Sequence, residues 1–226
     1  MRVLYILRIL LKLDLLKTIY FNFHYFPFKV AVYFPFFIYR HTKLYNMDGK
    51  IIIDAPIKFG MFRLGIRKLT IIDPVYSRTI WSHSGTLIVK GRAEIGQGSK
   101  INVDRNGTLI LGDGFCVTGN TTIICDSEIK FGSNCLLSWD ILIMDTDYHN
   151  VFNYNNDRLN PPKSISIGDN VWIGCRSIIL KGVVIANNNV VAANSMITRS
   201  FAESNSIVAG HGRNADIIKS SINWML

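Results

Sequence analysis

The stretch ISIGDNVWIGCRSIILKGVVIANNNVVAANSMITRSF, residues 165–201, decides the fold of this chain. Aliphatic residues occupy every sixth position of it without a break: Ile167, Ile173, Ile179, Ile185, Val191 and Ile197. A period of six fits neither an α-helix, at about 3.6 residues per turn, nor a simple strand, at about two. It fits a coil of short strands that turns a corner at every sixth residue, and it predicts a β-solenoid.

The residues around the aliphatic positions support this interpretation. Four places after each of the first five stands a small residue, a β-branched residue or an asparagine: Val171, Ser177, Val183, Asn189 and Ser195. Gly168, Gly174 and Asn188 stand at predicted corners, where they tolerate positive φ. The same spacing recurs in blocks upstream, through Val89, Ile95 and Ile101, then Leu111, Val117, Ile123 and Ile129, then Phe131, Leu137 and Ile143. We therefore predict an all-β, parallel β-helix with one continuous aliphatic core.

The repeat is interrupted by a polar loop, at about residues 144–164, that begins MDTDYHN and contains several asparagines and two prolines. Loops that project from a rigid scaffold often carry function. Asp145, Asp147 and His149 alternate, so they point to one side of an extended segment. Histidine side chains titrate near neutrality and suit general-base catalysis, and a nearby carboxylate fixes the tautomer of the ring. The pattern alone leaves open a solvated loop histidine between two surface acids.

Two segments resemble a known family. Residues 165–201 are similar to the C-terminal coils of the galactoside, maltose and nodulation O-acetyltransferases, and SWDILIMDTDYHN (138–150) resembles the active-site entry of their surface-polysaccharide branch. The likeness covers roughly residues 85–219. It implies a left-handed β-helix, although parallel crossovers are right-handed in most proteins. It also implies a homotrimer with acetyl-CoA between subunits and His149 as the general base. The carboxylate partner of its imidazole is either Asp147 or Asp145.

The same resemblance places six residues near acetyl-CoA: Trp172, Cys175, Ala193, Arg199, Arg213 and Lys219. Trp172 is expected beside the pantetheine arm, with backbone amides around Cys175 and Ala193 bonded to the pantetheine and thioester region. A cation at Arg199 is expected near the phosphates. On the residues alone, Trp172 is a surface aromatic, Arg199 a solvated charge and Cys175 a packing residue.

The C-terminal closing turn departs from the family pattern. The family usually has a Gly-Asn-Pro-Ala-Lys-like turn there, whereas GHGRNADIIK (210–219) lacks the proline and has Asp216 at the usual basic position. Arg213 and Lys219 are then the expected sources of positive charge.

Residues 1–45 differ in composition from the rest. The segment MRVLYILRILLKLDLLKTIY is apolar but is interrupted by Arg8, Lys12, Asp14 and Lys17, so it fits neither a signal peptide nor a spanning helix of about 20 residues. We predict a helical and aromatic arm at 1–45 and a β-helix acyltransferase domain at 46–226, with a tail from about 200. The arm either contacts the membrane peripherally at its inner face or packs on the body or on a neighbouring subunit. Both interpretations stay open.

Composition limits the possible partners. The chain has 226 residues and a net charge of +9, without a dense Lys/Arg run, so an anionic partner is expected but nucleic acid is not. The four cysteines, at 116, 125, 135 and 175, form no CxxC pair, which fits a cytoplasmic protein with free thiols and no metal site.

Three classes of function follow. The first is an acetyl-CoA-dependent O-acetyltransferase that modifies a sugar hydroxyl of a surface polysaccharide (capsule, O-antigen or exopolysaccharide) by direct transfer. The second is an N-acyltransferase acting on an amino-sugar nucleotide with the same base. The third is a non-catalytic β-helix scaffold. A γ-type carbonic anhydrase is excluded, because it needs three histidines at a subunit boundary and the five present have no such spacing.

Overall fold

The computed structural model describes residues 12–73 and 75–224, and these form a parallel β-helix behind a short helical segment. The helices of the described residues are α1 (Leu15–Tyr25) and α2 (Phe28–Ala31). Strands are numbered in chain order, and each full coil contributes one strand to each of three sheets. The predicted parallel β-helix is confirmed.

The three sheets contain the following strands. The first sheet has β1 (Phe36–Ile38), β4 (Phe62–Ile66), β7 (Ala93–Gly96), β10 (Phe115–Gly119), β13 (Leu136–Trp139), β16 (Trp172–Ile173), β19 (Val190–Val191), β21 (Ile207–Ala209) and β23 (Asp216–Lys219). The second has β2 (Thr42–Asn46), β5 (Thr79–His83), β8 (Lys100–Val103), β11 (Thr122–Cys125), β14 (Leu142–Met144), β17 (Ile178–Leu180), β20 (Met196–Ile197) and β22 (His211–Gly212). The third has β3 (Lys50–Ile53), β6 (Thr86–Val89), β9 (Thr108–Leu111), β12 (Glu128–Phe131), β15 (Ile165–Ile167) and β18 (Val184–Ile185). Strand β23 turns back antiparallel to β21, and the other pairings are parallel.

The core is the predicted aliphatic column. The six aliphatic residues of 165–201 are at most 1% exposed, and the small residues four places on are also buried. Each buried isoleucine or valine contributes about 1.5–3 kcal/mol relative to an exposed one. The corners differ from expectation in one respect. Asn188 has φ 59°, but Gly168 and Gly174 have no positive φ. A Cβ on Gly174 would lie 2.5 Å from the amide nitrogen of Ala193, so close approach of the next coil requires this glycine.

The β-helix begins earlier than the predicted boundary at residue 46, because the aromatic run from Phe36 forms β1 and pairs with β4. Helix α1 covers the free edge of β1. The side chain of Asn22 donates to the Phe36 carbonyl (2.7 Å) and accepts the Phe36 N–H (3.1 Å). The helix thus satisfies backbone groups that an open edge strand exposes. The part of the predicted arm at residues 1–11 lies outside the described residues.

A buried polar chain ties α1 to the second coil. The Tyr25 hydroxyl accepts the indole N–H of Trp81 (3.1 Å) and lies 3.1 Å from Nδ1 of His83. His83 is 0% exposed, and its Nε2 has no partner. Burial lowers the pKa of His83 to about 4 and raises the pKa of Tyr25 to about 12. The neutral imidazole is therefore part of the folded core.

Candidate active site

The loop between β14 and β15 leaves the β-helix at the corner between the second and third sheets. Its first residue of interest, Asp145, is 0% exposed and accepts the N–H groups of Asp126 (2.8 Å) and Ser127 (2.9 Å) from the preceding coil. Burial raises the pKa of the Asp145 carboxyl, although these two donors act in the opposite direction. Asp145 therefore anchors the loop to the coil below it.

The structure places the Asp147 carboxylate against Lys181 and Asn160, not against the imidazole of His149. It forms an ion pair with the Lys181 ammonium and accepts the Asn160 amide at 2.9 Å. The hydrogen bond from Lys181 holds the pKa of Asp147 below its ordinary value. The expected contact of Asp147 with the imidazole is thus not made within one chain. Lys181 lies 34 positions away in sequence, so local pattern gave no signal for this pairing.

His149 is held through its backbone. Its N–H donates to the Asp147 carbonyl (2.7 Å), and its carbonyl accepts the Asn160 amide (2.8 Å). The side chain is exposed, and its ring makes no hydrogen bond to any of the residues from 12 to 73 or 75 to 224. The imidazole is therefore open to solvent, while the backbone that carries it is held by hydrogen bonds.

Tyr148 was not predicted as a site residue from the sequence, and it stabilises the same segment. It has φ 60°, an uncommon value for a residue other than glycine, and its hydroxyl accepts the Asn102 amide at 2.8 Å. Burial raises the pKa of its phenol, with a further contribution from Asp104. The positive φ turns Tyr148 back onto the third coil, while the next residue, His149, faces solvent.

The predicted acetyl-CoA residues lie mostly on two different corners of the β-helix. Cys175 and Ala193 follow β16 and β19 at the corner between the first and second sheets, where the Asn194 N–H donates to the Cys175 carbonyl at 2.8 Å. Arg199 and Arg213 follow β20 and β22 at the other corner of the second sheet, on the same side as His149. A single chain does not bring the two groups together.

The remaining two candidates lie on the first sheet. Trp172 is 37% exposed on its outer face, donates its indole N–H to Ser138 (3.0 Å), and has its ring centroid 6.0 Å from that of Trp224. Lys219 is exposed at the end of β23, beside Ile207. Lys219 is therefore separated from the corner that carries His149.

Arg199 is engaged by its own chain. Its guanidinium donates to the Ala215 carbonyl (2.7 Å) and to the Asp216 carboxylate (2.7 Å), and it lies 4.6 Å from the ring centroid of Phe201. Asp216 is the residue that departs from the family pattern. A phosphate approaching Arg199 would compete with this carboxylate.

Where β11, β14, β17 and β20 lie side by side, the outer face of the second sheet is mainly apolar. Two adjacent columns of half-buried side chains run across it: Ile124, Met144 and Leu180, and Leu142, Ile178 and Met196. The solvated face of a sheet normally carries polar residues. The two corners described above, one with His149 and one with Cys175, flank this face.

Comparison with known proteins agrees with this architecture. Residues 164–199 match the model of the bacterial transferase hexapeptide family (six repeats). An uncharacterized protein from the cps region of Klebsiella pneumoniae is 31% identical over 190 residues, which is 83% of this chain and 83% of that protein. The chain belongs to the bacterial transferase hexapeptide family. Its fold is accordingly the left-handed β-helix of that family.

Relatives with named activities match a smaller part of their own length. The galactoside O-acetyltransferase of Escherichia coli is 32% identical over 115 residues, 50% of this chain and 51% of that enzyme. A polysialic acid O-acetyltransferase of E. coli is 31% identical over 137 residues, 60% of this chain and 41% of that enzyme. The chain thus spans about half the length of these enzymes. The solved structure of a polySia-specific acetyltransferase covers 82% of this chain and 76% of its own, with a TM-score of 0.49 and 23% identity.

In this hexapeptide-repeat protein the cysteines are free thiols, and two of them are deep in the coils. Burial raises the pKa of Cys125 and raises that of Cys135 to about 12. A buried thiol that stays protonated is a poor nucleophile. Among residues 12–73 and 75–224, no group of three or more His, Cys, Asp or Glu side chains is arranged to hold a metal.

Proposed function

We propose that this protein transfers the acetyl group of acetyl-CoA to a hydroxyl of a surface-polysaccharide sugar, with His149 as the general base. The observation that carries the proposal is the presentation of His149. Its backbone is fixed by Asp147 and Asn160, while its ring is exposed and unbonded beside an apolar face. The family relatives that act on galactosides and on polysialic acid support a carbohydrate acceptor.

The chemistry is a direct transfer. The imidazole takes the proton of the sugar hydroxyl as its oxygen attacks the thioester carbon, and the thiolate of CoA leaves and receives a proton. Backbone N–H groups at the coil corners are suited to stabilise the oxyanion. Burial and the raised pKa values of Cys125 and Cys135 make these two thiols unsuited to carry an acetyl-enzyme intermediate. Acetylated protein isolated after incubation with acetyl-CoA alone would contradict direct transfer.

The complete site requires more than one copy, and we propose a homotrimer. Packing the apolar faces of three second sheets around an axis brings the Cys175 and Ala193 corner of one copy against the His149 and Arg199 corner of the next. The positively charged side chains Arg199 and Arg213 then line the cleft, where the phosphates of acetyl-CoA, an anion, would lie. Reduced cysteines and a CoA substrate fit action in the cytoplasm.

A thiol-release assay tests the activity. Wild type and His149→Ala are supplied with acetyl-CoA and a panel of neutral glycans, acidic glycans and amino-sugar nucleotides. We expect wild type to release CoA with a glycan whose hydroxyl becomes acetylated, and the variant to lose this release. Transfer only to the amine of a sugar nucleotide would assign the protein to the N-acyltransferases. Hydrolysis or transfer that is unchanged in the variant would remove His149 from the mechanism.

A further inference from the structure

Helix α1 has two faces with different surroundings. One face packs on β1 through Thr18, Phe21 and Asn22, which are buried. The opposite face is apolar and open to solvent, with Leu16 81% exposed and Tyr20 57% exposed. A helix that only capped the first coil would carry polar residues on its outer face. Capping therefore explains one face of α1 and not the other.

The apolar surface continues beyond α1. The Phe23 ring lies 6.0 Å from the ring of Phe28 and 6.2 Å from that of Phe34, and Phe28 is 72% exposed. We define the N-terminal surface by its exposed apolar side chains: Leu15, Leu16, Ile19, Tyr20, Phe23, Phe28, Val32 and Tyr33. Monomeric soluble proteins rarely leave a large apolar patch without a partner.

The net charge around the N-terminal surface indicates which kind of partner this surface binds. Residues 12–45 contain one acidic side chain, Asp14, and five cations, a net charge of +4: Lys12, Lys17, Lys29, Arg40 and Lys43. Lys17 pairs with Asp14 at 2.8 Å, and the other four cations are exposed. A second copy of the chain would bring like charges together, which disfavours association. An anionic lipid surface complements both features, since cations attract its headgroups and aromatic side chains favour the interface.

We propose that the N-terminal surface docks this protein on an anionic phospholipid bilayer. None of the helices among the described residues is long and apolar enough to cross a membrane. The proposed contact is a peripheral one, made by the side chains of the N-terminal surface. Docking also sets an orientation. The loop with His149 follows β14 in the fifth coil, and neighbouring parallel strands are about 4.8 Å apart, so the site stands roughly 20 Å from the docked end. If the proposed function holds, an acceptor glycan carried on a lipid would be within reach of that site.

Vesicle flotation tests the docking without any need for activity. We expect the full chain to float with phosphatidylglycerol vesicles and to remain behind with phosphatidylcholine vesicles. Salt at about 1 M, where the Debye length is about 3 Å, should release it. The double variant Leu16→Glu/Phe28→Glu should bind about tenfold less or weaker still, because two inserted apolar groups are replaced by charges that anionic lipid repels.

Ile218→Glu is the matched control, since Ile218 is 64% exposed at the opposite end of the β-helix. It should float like wild type. Circular dichroism of each variant separates lost binding from lost fold. Equal flotation of the double variant and wild type, or flotation of neither, overturns the proposal. A double variant that changes the oligomeric state in solution assigns the surface to another copy and also overturns it. Because His149 takes no part in flotation, this result is independent of the proposed reaction.

Discussion

His149 makes its contacts through the backbone, so its side chain can be removed without breaking them. We expect His149→Ala to reduce turnover by about 10²–10⁴-fold, the usual contribution of a general base. The thermal midpoint should stay close to that of wild type. Thiol-release kinetics and thermal unfolding measure the two quantities. A variant with near wild-type turnover would show that another group takes the proton.

Arg199 and Asp216 form an ion pair, and substitutions of the two residues should change the KM for acetyl-CoA in opposite directions. Arg199→Ala should raise the KM for acetyl-CoA more than the KM for the acceptor, since a charge-assisted contact to phosphate is worth about 1.5–3 kcal/mol. Asp216→Asn removes the carboxylate that competes for Arg199 and should lower the KM for acetyl-CoA. Initial-rate kinetics with each substrate varied measure both effects. Equal changes in both KM values would place Arg199 away from the cofactor.

His149 is a candidate base on the sequence alone, because the family motif lies within a few consecutive residues, and this assignment stays a prediction. The structural surroundings of the loop were less predictable. The partners of Asp147 could not be predicted from the sequence. Its carboxylate meets Asn160 and Lys181, 13 and 34 positions away, and only the folded loop brings these groups together. Asp145 was likewise a candidate partner for the imidazole, and its burial against Asp126 and Ser127 depends on the stacking of coils.

At the level of elements, the inserted loop is held by Asn160. Its side chain accepts the Val151 N–H (2.6 Å) and donates to both the Asp147 carboxylate and the His149 carbonyl. We expect Asn160→Ala to lower kcat by about 10–100-fold with little change in the KM for acetyl-CoA. Loss of the Asn160 side chain would misplace His149, and a misplaced base slows the chemical step without weakening the binding of acetyl-CoA. Asn155→Ala, in the exposed part of the same loop, is the control and should leave both constants unchanged. A rise in KM alone would assign Asn160 to substrate binding.

The contact of α1 with the second coil predicts a dependence of stability on acid. The folded-state pKa of His83, about 4, lies below its ordinary value of 6.5. The stability linked to the neutral imidazole is therefore present above pH 6.5 and is lost as the pH falls through 4. Thermal unfolding between pH 7 and pH 4 should show a smaller decrease in His83→Gln than in wild type. Parallel curves would mean that His83 is not the group that titrates.

The coils were more predictable than the elements at their ends. Every sixth residue from Ile167 to Ile197 has the same surroundings in the β-helix. The period of six in the sequence therefore predicts which side chains are buried. The start of the β-helix at Phe36 has no such repeat, because α1 and its Asn22 replace a preceding coil. Residues 36–38, with the sequence Phe-Phe-Ile, therefore belong to the body, although their composition groups them with the arm.

For the whole molecule, the apolar outer face of the second sheet predicts the assembly. Burying the columns through Ile124 and Leu142 removes apolar side chains from water, at about 25 cal/mol per Å². Closed cyclic symmetry would bury this face in every copy. It would also place the Cys175 corner of one copy beside the His149 corner of another, which one chain alone does not achieve. We therefore expect a homotrimer that loses activity when it dissociates.

Leu142→Glu/Ile178→Glu places two charges at the centre of that face and should yield monomers, because unpaired buried charges are strongly unfavourable. Light scattering after gel filtration measures the mass, and thiol release measures the activity of the same fractions. Ile110→Glu, half-buried on the outer face of the third sheet, is the matched control and should remain trimeric and active. A wild-type protein that is monomeric and fully active would show that one chain carries a complete site. Such a result would require the Cys175 and His149 corners to serve separate ligands, since they lie on opposite edges of the second sheet.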